Sequence, residues 1–200
     1  MKLTILGCAG SFPSPTAPCS SYLIEAEGFR LLLDMGTGSL ATLQRVAGLY
    51  SIDAIVLSHL HADHIFDACS YVVARRYAPG GPKPALPLYS PGAGPERLAA
   101  AYGGGPHEGT LDDVYTFHTL RPSVLPVGPF ELTIERMNHP VETYGVRIEH
   151  GGGAIAYSAD TAPCEALLRL AQGADVFLCE ASYLDGVVNP PDLHLTGREA

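Results

Sequence analysis

The chain has 200 residues, 46% of them hydrophobic and 16% charged, and its 12 basic against 21 acidic residues give a formal net charge of −9. That balance suits one folded domain with a substantial core and excludes a disordered chain. It also argues against a large nucleic acid as partner, since phosphate backbones are repelled at long range, and no apolar run approaches a membrane span.

In chain order, residues 2–6 read as a strand ending at Gly7, too short for the apolar region of a signal peptide. A loop rich in Gly, Pro and Ser runs to Ser21. Tyr22–Ala26 and Phe29–Asp34 then flank Glu27-Gly28, a hairpin turn. Ser39–Val46 has helical spacing, residues 53–57 form a strand, and Ile65–Tyr77 is predicted as a helix. Residues 78–128 are irregular and Pro-rich, with a strand near Leu86–Tyr89 and a helix near Pro95–Tyr102 the only elements placed there. Stretches of this kind often serve as lids or substrate loops. Strands resume at Glu131–Arg136, Tyr144–Glu149 and Ala154–Ser158, with Gly151-Gly152-Gly153 as a turn. A helix over Cys164–Ala171, a buried strand over Val176–Cys179 and the start of a helix at Leu195–Ala200 complete the chain. The mixed order points to an α/β sandwich, two sheets covered by helices, in a single domain over residues 1–200. The five cysteines lack a Cys-Xaa-Xaa-Cys pair and read as reduced thiols of a cytoplasmic protein.

The chemistry concentrates at Ser58-His59-Leu60-His61-Ala62-Asp63-His64, directly after the apolar strand Ile55-Val56-Leu57. Strand C-terminal ends are where α/β folds tend to place their sites. His59 and His61 are two apart and share a side in extended backbone, whereas Asp63 and His64 fall where the chain turns. One loop thus offers two imidazoles to one metal and an Asp/His pair to a second. His139 and Asp160 also follow strands, and an aspartate can bridge two cations. Read alone, Asp160 could equally cap the next helix. His107, His118 and His150 lie outside this pattern and read as surface or loop histidines. Gly36-Xaa-Gly38-Xaa-Xaa-Ala41 imitates a dinucleotide-binding turn, but no acidic residue ends the next strand, so a nucleotide cofactor is not expected.

Asp34, the run from His59 to His64, His139, Asp160 and the late Glu180 and His194 together resemble the metallo-β-lactamase fold superfamily, in the phosphodiesterase branch that includes ribonuclease Z. The resemblance covers essentially the whole chain and implies a four-layer αββα sandwich. It implies that His59, His61 and His139 hold one metal, that Asp63 and His64 hold the second, and that Asp160 bridges. Asp34 resembles the carboxylate that orients a ligand imidazole. Asp63, Glu180 and His194 resemble the catalytic set, His194 acting on the phosphate or the leaving oxygen and Glu180 setting its tautomer. The superfamily's further His on a last strand has no counterpart after His194, so the resemblance implies a C-terminally truncated domain lacking that strand.

Two cations about 3.5–4 Å apart suit metal-dependent hydrolysis of a phosphodiester. The donor set favours two zinc ions, with manganese or iron as substitutes. Lys83, Arg97 and Arg121 are the only cations of the 78–128 segment, which favours a small phosphodiester over RNA. Arg75-Arg76-Tyr77, Phe177-Leu178-Cys179-Glu180 and Pro191-Asp192-Leu193-His194 are similar to bacterial members linked to cyclic-nucleotide hydrolysis, which implies a 3′,5′-cyclic nucleotide phosphodiesterase. The alternatives are a ribonuclease Z-type endonuclease that processes tRNA 3′ ends and a non-catalytic, metal-stabilised domain. Relatives of this kind form homodimers, so a homodimer without membrane attachment is expected.

Overall fold

The computed structural model describes residues 1–103 and 109–200, so His107 and the later glycines of the 103–105 run lie outside the described residues. Contacts divide the chain into an N-terminal unit, residues 2–119, and a C-terminal unit, residues 120–200 with Met1.

The N-terminal unit is built on strands β1 (Lys2–Gly7), β2 (Ser21–Ala26) and β3 (Phe29–Leu33), helix α1 (Ser39–Val46), β4 (Ala54–Val56), α2 (Ala62–Arg76), β5 (Leu86–Ser90), α3 (Gly94–Tyr102) and β6 (Tyr115–Thr119). The sheet runs β1-β2-β3-β4-β5-β6. Its first three strands are antiparallel and the rest join in parallel. Glu27 and Gly28 both take positive φ, 50° and 80°, which is the two-residue turn whose twist matches a hairpin. Parallel strands need helical crossovers, and those crossovers bring α1, α2 and α3 onto the sheet. Ile65, Ala68, Tyr71 and Val72 of α2 pack with Leu43 of α1, Leu98 of α3 and sheet residues Leu23, Leu32, Ile55 and Leu88. Burial of each such large aliphatic side chain contributes about 1.5–3 kcal/mol. Because β3 and β4 are parallel, the residues that follow them, Asp34 and Ser58, emerge at the same edge of the sheet.

The C-terminal unit contains β7 (Ser123–Val127), β8 (Phe130–Arg136), β9 (Tyr144–His150), β10 (Gly153–Tyr157), α4 (Glu165–Ala171) and β11 (Val176–Leu178). Its sheet runs β11-β10-β9-β8-β7, antiparallel except where α4 crosses between the parallel β10 and β11. Gly151 and Gly152, at φ 59° and 81°, make the same kind of two-residue turn, and Gly153 already pairs with His150 in the ladder. Ala166, Leu167 and Leu170 of α4 pack on Met137 and Leu195. The ends of β8, β10 and β11 share one edge, so His139, Asp160 and Glu180 issue from the same side of this sheet.

The two mixed sheets and four helices among the described residues bear out the α/β expectation. Four local expectations are corrected. The Pro-rich middle also holds β6 and β7, which sequence reading leaves irregular. Both are edge strands, and an edge tolerates both Pro126 and the polar composition of Tyr115–Thr119. Helix α2 starts at Ala62 instead of Ile65, placing Asp63 in a first turn, where a carboxylate favours the helix N-terminus. Strand β11 is an edge strand, with Val176 exposed and Phe177 and Leu178 half-buried, so its apolar run is not fully covered. The helix start expected at Leu195–Ala200 is instead a turn, whose Thr196 amide and hydroxyl both donate to Glu199 Oε2 at 2.9 Å.

Candidate metal centre

In the N-terminal unit Asp34 organises the histidine loop. It is completely buried and takes φ 55°, a left-handed conformation that Asp tolerates better than most residues. Its amide donates to Val56 O, and Ser21 Oγ donates to its carbonyl, both at 2.8 Å. Its carboxylate accepts the Ser58 amide at 2.7 Å, the Ser58 hydroxyl at 2.8 Å and His64 Nδ1–H at 2.7 Å. The last bond fixes the His64 tautomer and leaves an Nε2 lone pair 3.5 Å from Asp63 Oδ2. The hydroxyl of Ser58, having donated to Asp34, accepts from His59 Nδ1 at 3.1 Å. The other ring nitrogen of His59 then lies 3.1 Å from His61 Nδ1. A lone pair opposite a carboxylate oxygen, and two imidazole nitrogens turned toward each other, are arrangements that a shared divalent cation satisfies. The donor types also fit zinc. Asp63 is itself held by the Ser11 amide, which donates to Oδ2 at 2.8 Å.

The glycine-rich turn after β3 serves this loop. A Cβ on Gly36 would stand 2.0 Å from the backbone oxygen of Asp63, so only glycine lets the two segments touch. The Met35 amide donates to His64 O at 2.8 Å, and Asp67 Oδ2 accepts the Leu40 amide at 2.7 Å in the first turn of α1. The turn therefore packs against the start of α2, which accounts for its glycine.

In the C-terminal unit His139 donates Nδ1–H to the Leu193 carbonyl at 2.9 Å, so that Nε2 carries the lone pair that could ligate a metal. Its ligand atom and that of Asp160 lie within 4.8 Å of each other, as do those of Asp160, Glu180 and His194. Glu180 Oε1 accepts both the Thr161 amide at 2.7 Å and His194 Nδ1–H at 2.9 Å, while Oε2 accepts the Ser182 amide at 3.2 Å. Its own amide donates to Ser158 Oγ at 3.0 Å. His194 Nδ1 also lies 4.0 Å from Asp160 Oδ2, and the Tyr183 ring stands edge-on at 5.2 Å. A cavity of about 310 Å³ opens here, lined by Tyr183, Asn189, Asp192 and His194 among others.

Each unit thus gathers its own share of the residues singled out in the sequence. Sequence reading assigns no role to the parts that hold them: Ser58, Ser11, Thr161, Ser182, Tyr183 and the Leu193 carbonyl. Ser58 opens the motif itself, and its hydroxyl is the one signal that could have been read there. Backbone donors carry no side-chain signal. His118 instead stacks on Tyr89 with centroids 4.7 Å apart, and His150 donates to Pro129 O at 3.0 Å. All five cysteines are free thiols, and burial, with Glu180 adding to it, pushes Cys179 up to about 11.

The model of the family described as anti-Pycsar protein Apyc1 matches residues 1–188. The chain belongs to that family. Uncharacterized protein ML1173 of Mycobacterium leprae is 42% identical over 206 residues, an alignment covering all of this chain and 72% of the relative. Probable metallo-hydrolase YhfI of Bacillus subtilis is 30% identical over 207 residues, covering all of this chain and 80% of the relative. The crystal structure of YhfI, a metallo-β-lactamase fold protein, superposes with a TM-score of 0.85 at 27% identity, over 99% of this chain and 78% of that one. A ribonuclease Z of Mycolicibacterium paratuberculosis is 29% identical over 213 residues, covering 98% of this chain and 75% of the relative. The fold is therefore that of the metallo-β-lactamase superfamily, with ribonuclease Z-like kinship, a metallo-hydrolase fold that implies divalent-metal binding. No helix among the described residues is long and apolar enough to cross a membrane.

Proposed function

We propose that this protein is a dinuclear metal-dependent phosphodiesterase acting on a small phosphodiester, a 3′,5′-cyclic nucleotide being the substrate the reading favours. The observation that carries it is the His194–Glu180 pair at 2.9 Å, with Glu180 itself held by the Thr161 and Ser182 amides beside Asp160. In this reading His59, His61 and His139 hold one zinc ion, Asp63 and His64 the other, and Asp160 bridges. The cations, when bound, lower the pKa of a water and neutralise charge on the phosphate.

The remaining work falls to side chains. A water oxygen bonds to phosphorus as the P–O3′ bond breaks in line; the water gives up one proton to the solvent, and the departing oxygen takes one up. His194 holds that proton at Nε2, because Nδ1–H is committed to Glu180 Oε1. Glu180 stabilises the protonated ring and fixes its direction. Asp34, through His64 and Ser58, keeps the loop's imidazoles in their ligating tautomers.

Basic side chains support a small substrate over RNA. Arg75 is buried against Pro84 O and the Tyr71 ring, and Arg76 is paired with Asp113 at 2.7 Å. Lys83 lies over the Tyr50 ring at 4.8 Å. Arg75, Arg76 and Lys83 are engaged within the unit, so of the 78–128 segment only the exposed Arg97 and Arg121 are left to meet a phosphate backbone. The free cysteines fit a reducing, cytoplasmic compartment.

Zinc-loaded protein assayed side by side on cyclic AMP and precursor tRNA tests the proposal. Turnover of cyclic AMP is expected, falling about 10²–10⁴-fold in His194→Ala with metal content unchanged. Cleavage of RNA alone would overturn the substrate class. Metal retention without activity on either substrate would favour the non-catalytic domain.

A further inference from the structure

The loop over residues 8–18 has an unusual build. Its base is closed by the Ala9 amide donating to Pro18 O at 3.0 Å, and Ala9 and Cys19 form a β-bridge. Pro13, Pro15 and Pro18 stiffen it, and Ser14 Oγ accepts the Ala17 amide at 2.9 Å. At its tip the Phe12 amide donates to Gly10 O at 2.7 Å around Ser11, whose φ is 63°. That is a γ-turn of the rare, strained hand, and strain of this kind gathers at functional sites. The same Ser11 donates its amide to Asp63 Oδ2 at 2.8 Å, so the turn is anchored to the histidine loop. The next side chain, Phe12, is 74% exposed.

A large apolar ring held in water on a rigid, strained turn, one residue from a carboxylate of the candidate centre, contributes nothing to the core. Its exposure is unfavourable, and its rigidity removes the entropy loss that a flexible loop would suffer on binding. An uncharged aromatic face takes a flat, uncharged ligand group better than a phosphate, and nucleobases offer such a face.

We infer that Phe12 is a stacking platform for the nucleobase of the substrate, and that the Ser11 amide sets its position relative to Asp63. The inference rests on the phosphodiesterase reading and adds to it a determinant of preference for base-bearing substrates. Zinc-loaded wild type and Phe12→Ala are to be compared on 3′,5′-cyclic AMP and on the same ribose cyclic phosphate carrying a methoxy group in place of the base. In wild type, kcat/KM is expected to favour cyclic AMP. In Phe12→Ala that ratio is expected to fall about tenfold, within the range for one stacked base, with the loss in KM and not in kcat. Phe12→Tyr should restore the ratio, whereas Phe12→Leu, apolar but without a π face, should not. An unchanged ratio in an active Phe12→Ala enzyme, equal use of both substrates by wild type, or full rescue by leucine overturns the platform alone. Turnover of neither substrate by wild type overturns the phosphodiesterase reading, and the platform with it.

Discussion

At Asp34, complete burial, a left-handed backbone and three accepted hydrogen bonds converge on one carboxylate. Such a group orients its neighbours and is poorly replaced. Asp34→Ala frees His64 to take the other tautomer and leaves the buried Ser58 amide without its acceptor. Zinc affinity, read by competition with a chelating dye, should fall about 10–100-fold. Urea unfolding of the metal-free protein should show a loss of about 1–3 kcal/mol from the unpaired donor. Glu180 plays the corresponding part in the C-terminal unit, with two backbone amides aiming its carboxylate at His194.

At the scale of elements, the start of α2 is where fold and site constrain each other most. Its first turn carries Asp63 and His64, its next residues anchor Met35 and Leu40, and the turn after β3 lies against it. Gly36→Ala puts a methyl group 2.0 Å from a backbone oxygen that no rotamer can move aside. The start of α2 must shift, at a cost of about 1–3 kcal/mol. Thermal unfolding should register that loss, and bound zinc per chain should fall with it, because Asp63 and His64 move with the helix end. A substitution at Gly28, where no neighbour lies within 4 Å but φ is +80°, should lower stability without touching metal content.

For the whole molecule, charge makes the stability depend on pH, and a bound metal is expected to add to it. Lys2, Arg76 and Arg169 hold Glu25, Asp113 and Glu135 respectively below their ordinary carboxylate values, chiefly by hydrogen bonding. A carboxyl depressed in the folded state stabilises fully above its unfolded value, about 3.9 for Asp and 4.3 for Glu. That stability is lost as pH falls through the lower folded value. These pairs are partly or fully exposed, so solvent screening keeps each contribution small. Urea midpoints should therefore stay level on their account from pH 7 to about 5 and decline only in stronger acid. Zinc at about a hundred times its Kd should stabilise by about 2.7 kcal/mol, an increment that a chelator removes in a thermal melt. No change in the melting temperature on chelation would argue against a metal held by the folded state.

What the sequence by itself determined is local. Metal chemistry demands particular side chains, and the run from His59 to His64 packs them into one loop. Hydrophobic periodicity places most strands and helices, and two-residue turns at Glu27-Gly28 and Gly151-Gly152 follow from φ preference. What only the tertiary structure decided is which groups hold those side chains. Asp34 reaches His64 across 30 positions, and Leu193 reaches His139 across 54. Ser11, Thr161, Ser182 and Leu193 act through backbone atoms, which carry no side-chain signal. The edge strands β6, β7 and β11 were equally hidden, in existence or in burial, because an edge is made by what lies beside a strand and not by the residues within it.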